Sequence, residues 1–143
     1  MAYIWIIFAL LSAFAAAFVA IFGKIGLQGI DTNTATAIRA VVMALFLVGL
    51  IIIQGKMHDV GPILQNSKAL LFIVLSGLAG AVSWLFYFVA LKGAKVSQIV
   101  PIDRMSVVFA IVLALLILGE KISLKAGIGA ALVVAGGILI ALG

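Results

Sequence analysis

Three charged side chains stand where charge is expensive: Arg39, Asp103 and Arg104 each interrupt a long apolar run. In hydrocarbon such a group costs ~2.5–3.5 kcal/mol at the bilayer centre on insertion scales and less near the ends, so it needs a counter-charge, a polar partner or a wet cavity. Ion recognition is the chemistry these residue types could carry. Arg39 lies six residues beyond the candidate helix cap Asn33, and Asp103 lies six beyond the candidate cap Ser97, which places each ~9 Å into its helix. An Arg39–Asp103 contact would therefore neutralise both. Arg104 follows directly and points about 100° further around the helix, towards a headgroup, a cavity or a substrate anion. Two readings stand side by side: an interhelical ion pair with Arg104 snorkelling to the interface, or residues that line a translocation path. Trp84 and Tyr87, one turn apart, suit either a ligand cavity or the headgroup belt. The candidate substrate-binding set is Arg39, Trp84, Tyr87, Asp103 and Arg104.

Other chemistries find few residues. The chain contains no cysteine and one histidine, His58, so thiolate nucleophiles, disulfides and imidazole clusters are excluded and no metal or cofactor is expected. An intramembrane enzyme would want paired aspartates or a Ser and a His within spans; neither is present, and the chain is not expected to be an enzyme. The net charge of +5 comes from basic residues scattered along the sequence. They form no cationic face for nucleic acid.

The elements that must position these residues follow from composition. With 67% of 143 residues hydrophobic and 9% charged, the chain has too little interior to hide its apolar excess, whereas lipid can solvate it. The runs are continuous rather than alternating, so helices and not a barrel satisfy the backbone. About 20 helical residues cross the core of a bilayer. Parsing by charge and turn interruptions predicts an all-α integral membrane protein, residues 1–143 forming one domain of five spans at about 3–22, 34–53, 69–91, 98–118 and 126–142. The first span is read as retained and not as a signal peptide. Gln54–Lys68, with its Gly61-Pro62 pair, is read as a loop. Asp31, Thr32, Asn33 and Ser97 are candidate caps, with Pro101 in the first turn of span four.

Lys and Arg near span ends set orientation, and they accumulate on the cytoplasmic side. One face holds Lys56, Lys68, Lys121 and Lys125; the other holds Lys24, Lys92 and Lys95, to which Arg39 and Arg104 can be added. This near balance gives insertion no clear instruction, and it predicts copies that insert both ways up and pair as an antiparallel homodimer of ten helices. The alternative is a single orientation set by weaker cues.

Small residues recur at close-packing spacing: Ala9, Ala13 and Ala17 in span one, Ser76 with Gly80 in span three, and Gly127, Ala131 and Ala135 with Gly129, Gly136 and Gly137 in span five. Span five is the expected contact between protomers. Ser76, Gly80, Ser83 and Tyr87 share one face of span three, which is expected to look inward.

The order of spans, the Arg near the start of span two, SGLAGAVSWLFYFVAL in span three, and VPIDRMSVVFAIVLALLILGEKISLKAGIGAALVVAGGILI at the end resemble the EamA-type domain of the drug/metabolite transporter superfamily. The resemblance covers nearly the whole chain. It implies a secondary permease with a central cavity, usually ten helices in two five-helix halves of inverted topology; a single half here implies a homodimer. The related small multidrug resistance proteins carry an acidic residue in their first span, and this chain has none there. Any coupling carboxylate would be Asp103 or Glu120. The expectation is a multi-pass transporter of a small metabolite in the cytoplasmic membrane of a prokaryote, working by alternating access. A small membrane subunit or assembly factor that binds a partner protein and moves nothing is the other reading.

Overall fold

The computed structural model describes residues 3–143; Met1 and Ala2 of the expected domain lie outside them. Among the described residues every regular element is helical. The helices are α1 (Ile4–Gly26), α2 (Thr32–Ile53), α3 (Val60–Gln65), α4 (Ser67–Gly93), α5 (Val96–Asp103), α6 (Ser106–Leu113) and α7 (Leu124–Leu142), with a 3-10 turn at Lys56–Asp59 and a π turn at Ala114–Leu118. Five stretches are long and apolar enough to cross a membrane: α1, α2, α4, the segment Val96–Leu118, and α7. The protein is a multi-pass membrane protein. Large side chains such as Phe8, Phe46 and Leu132 are more than 60% exposed, as a lipid-facing surface requires.

Four helix starts lie two residues earlier than the sequence suggested, each for a local reason. Asp31 and not Asn33 caps α2, its carboxylate accepting from the Thr34 backbone N–H at 2.8 Å and from the Thr34 hydroxyl at 2.9 Å. Those bonds hold the Asp31 carboxyl below the usual carboxylate range, the backbone N–H being the larger cause. Asn66 accepts from Ala69 N–H at 3.1 Å and opens α4. Ser123 does the same for Ala126 at 3.2 Å and opens α7. At α5 the expected cap Ser97 is already helical; the Gln98 side-chain oxygen instead accepts from Lys95 N–H at 3.3 Å. Each device satisfies an N–H that has no partner within its helix.

Two expectations are corrected. The stretch Gln54–Lys68 is not an open loop, because the 3-10 turn and α3 fold within it; Pro62 is the third residue of α3, where its missing N–H is not needed. Span four is not one α-helix. Since α5 begins at Val96, Pro101 falls in its second turn, leaving no N–H for the carbonyl four residues back. The helix gives way at Arg104–Met105, where Met105 N–H reaches Ile102 O at 2.9 Å and Val107 N–H reaches Arg104 O at 3.1 Å in tight three-residue turns.

The chain divides into two compact units. In the unit built from α1 and Gly93–Gly143, Ala20 and Ile99 are buried and α5 packs on α7. The Gln98 amide donates to Ala141 O at 3.3 Å, occupying one of the orphan carbonyls at the end of α7, and Lys24 in the last turn of α1 donates to Ala94 O at 2.8 Å. The tightest point is Gly137, where an added Cβ would meet the Pro101 carbonyl oxygen at 3.0 Å. Backbone cannot swing aside. Gly137→Ala is therefore expected to force α5 and α7 apart and lower stability by about 1–3 kcal/mol, the usual cost of overpacking, whereas Gly136→Ala, with open space around its Cβ position, should leave stability unchanged or slightly raised; thermal unfolding of the two variants in detergent separates them.

In the second unit, Gly26–Lys92, the helices α2 and α4 carry the buried residues Thr36, Phe88 and Leu91. Lys92 in the last turn of α4 donates to Ile30 O at 3.0 Å, which ties the α1–α2 connection to the end of α4. Of the stripe expected to look inward, Tyr87 is half-buried while Ser76 and Ser83 remain exposed.

Candidate functional site

In the Gly26–Lys92 unit, α2 carries Arg39 eight residues past its cap Asp31, a depth of ~12 Å. Trp84 lies nine residues before the end of α4 at Gly93, a depth of ~13 Å. Both are thus near the middle of a hydrocarbon core ~30 Å thick. There they meet. The Arg39 guanidinium carbon lies 3.5 Å from the Trp84 ring centroid and 5.4 Å from that of Phe88. At 3.5 Å the guanidinium lies flat on the indole, because an edge-on fork would drive a nitrogen into the ring.

The aromatic support is itself braced. Trp84 meets Tyr87 edge-on at 5.4 Å and Phe88 edge-on at 5.7 Å, arrangements favoured by the ring quadrupoles. Phe88 is buried, and Trp84 and Tyr87 are half-buried. Sequence reasoning named Arg39, Trp84 and Tyr87, and the fold adds Phe88 to the cluster they enter. The signal was available, since Trp84 and Phe88 are four residues apart and share a helix face.

The other candidates belong to the Gly93–Gly143 unit. Asp103 ends α5, eight residues past its cap Lys95, and Arg104 occupies the break before α6; both side chains are exposed. A charged pair at an interruption is easier to place than one inside a continuous helix, because freed backbone groups and water or ligand can share the site.

The same unit holds a cavity of about 480 Å³ where α6 and the π turn face the α6–α7 connection. Val107, Ile111 and Ala114 form its apolar side, and Glu120, Lys121 and Ser123 its polar side. The π turn ends at Gly119, whose φ of 67° is left-handed, and Glu120 N–H closes it on Ala114 O at 3.2 Å. Glu120 and Lys121, in the connection between α6 and α7, face this concave surface. His58 Nε2 and Asp59 Oδ1 lie 3.1 Å apart, both side chains exposed.

Comparison with known proteins places the chain in a family. The model of the EamA-like transporter family matches residues 3–142. A protein of Sinorhizobium sp. described as an uncharacterized transporter in the cobO 3' region is 38% identical over 137 residues, covering 96% of this chain and 96% of that one. No solved structure matches the chain.

Proposed function

Because the chain belongs to the EamA-like transporter family, we propose that it is one five-helix half of a secondary permease, and that two copies inserted in opposite senses form a ten-helix carrier. The carrier moves a small metabolite across the cytoplasmic membrane of a prokaryotic cell by alternating access. Arg39, Trp84 and Tyr87 contact the substrate near mid-membrane, and Asp103 and Arg104 at the break in span four line the path.

The observation that carries this reading is the position of Arg39. A structural arginine in a span reaches for the headgroups, yet this one is stacked on Trp84 at mid-depth. Carriers of this kind bind their cargo near the bilayer midplane, next to interrupted helices. The even spread of Lys and Arg over the two faces supports pairing of two inverted copies.

Transport is tested with the full chain in liposomes on a solid-supported membrane, screened against a library of small metabolites. Saturable, protein-dependent current is expected. A stable hetero-complex in mild detergent, with no current for any compound, would replace the permease by a partner-binding subunit.

The pairing has its own test. Gly129 and Gly136 are seven residues apart on one face of α7, and neither has a neighbour within 4 Å of its Cβ position. They flank the centre of a helix that runs Leu124–Leu142, so inverted copies meeting there would bring Gly129 of one against Gly136 of the other. The chain has no cysteine, which leaves disulfide cross-linking free of background. Mixing Gly129→Cys with Gly136→Cys protein should give dimers, and Gly129→Cys alone should give few. The opposite pattern would indicate a parallel contact.

A further inference from the structure

We infer that the substrate bound at Arg39 is a small organic monoanion, a carboxylate carrying an apolar body; this deepens the permease reading and rests on it. A guanidinium lying flat on an indole directs its five N–H donors sideways, in its own plane, and none into the ring. Within the Gly26–Lys92 unit no carboxylate, carbonyl or hydroxyl accepts from Arg39. The stack on Trp84 supplies ~2 kcal/mol when desolvated, which offsets much of the charge penalty of ~2.5–3.5 kcal/mol but leaves the donors unused. Unused donors at mid-membrane call for an acceptor.

The fork of an arginine matches two oxygens of one carboxylate, and one positive charge in a low-dielectric site balances one negative charge. A dianion would bring a second charge that one guanidinium does not balance, and a cation would be repelled. Trp84, Tyr87 and Phe88 beside the fork offer apolar surface to the rest of the molecule. A lipid headgroup shares the anion chemistry. Its phosphate, however, sits at the interface, ~12 Å from the depth of Arg39 along α2.

The full-length Trp5→Phe protein has Trp84 as its single tryptophan, so emission reports on the ring under Arg39. In phosphatidylcholine nanodiscs the probes are benzoate, its neutral analogue benzamide and the cation benzylammonium. Benzoate is expected to shift Trp84 emission saturably, with affinity at least tenfold above benzamide, and the shift should vanish in Arg39→Gln, whose folding is checked by its unfolding temperature. Equal responses to benzoate and benzamide, a preference for benzylammonium, or no response at all would overturn the inference. So would a response to phosphatidylglycerol in place of benzoate, which would make the anion a lipid, or a response to benzoate only after Asp103→Asn, which would make Asp103 the acceptor. Benzoate binding without current for any compound in the liposome screen would keep the anion site and remove the permease.

Discussion

Arg39→Lys is expected to reduce transport about thirtyfold although the positive charge is kept. The ammonium is a compact, strongly hydrated point charge that cannot lie flat on an indole or present a planar fork, so the variant forfeits the stack of Arg39 on Trp84 at 3.5 Å. Loss of ~2 kcal/mol corresponds to that factor at about 1.4 kcal/mol per decade. Initial rates in liposomes, at equal amounts of monodisperse protein, measure it. Arg39→Ala should be more severe, because it also removes the charge. Exchange of the two candidates, Arg39→Asp with Asp103→Arg, is expected to give no recovery, since a carboxylate would then face the negative π surface of Trp84. Recovery in the exchanged protein would show that Asp103, and not the aromatic ring, is the partner that matters. Full activity of Arg39→Lys would remove the stacked guanidinium from the mechanism.

A second large effect is expected from charges placed far from the site. Gln54→Lys with Gln65→Lys adds two cations to the face that already holds Lys56, Lys68, Lys121 and Lys125; Gln28→Lys with Gly143→Lys adds two to the face of Lys24, Lys92 and Lys95. Either change turns a near balance into a bias that insertion can read. If the working unit needs one copy of each orientation, either variant alone should lose at least nine-tenths of its transport, and co-expression of the two should restore it. Reporters on the C-terminus, one active inside the cell and one outside, should both give signal for the unaltered chain and one signal for each variant. Undiminished transport by a chain fixed in one orientation would remove the antiparallel pair. The five spans and the family would stand unaffected.

Much of this architecture could be read before any coordinates. The five spans emerged because a bilayer of fixed thickness demands apolar runs of fixed length, and the chain supplies five. Arg39, Asp103 and Arg104 were visible because charge inside such a run is rare and costly. Helix ends were less legible. Asp31 and Asn33 are both good caps by residue type, and the choice fell to the one whose carboxylate reaches Thr34. The break at Arg104–Met105 was hidden for a related reason: with Ser97 as the cap, Pro101 would lie in the permitted first turn, and a start at Val96 moves it to the second.

Partners were the least legible of all. Gly136 and Gly137 are neighbours in sequence and equal in composition, yet one faces open space and the other meets the Pro101 carbonyl. Charge alone pointed Arg39 to a carboxylate, and the fold laid it on Trp84. The sequence by itself determined the solvent of this protein, the number of its membrane crossings and which residues had to be accounted for, since these depend on composition and run length along one dimension. Tertiary structure alone decided what each of those residues touches, because contact depends on the direction a side chain takes around its helix and on which backbone stands opposite.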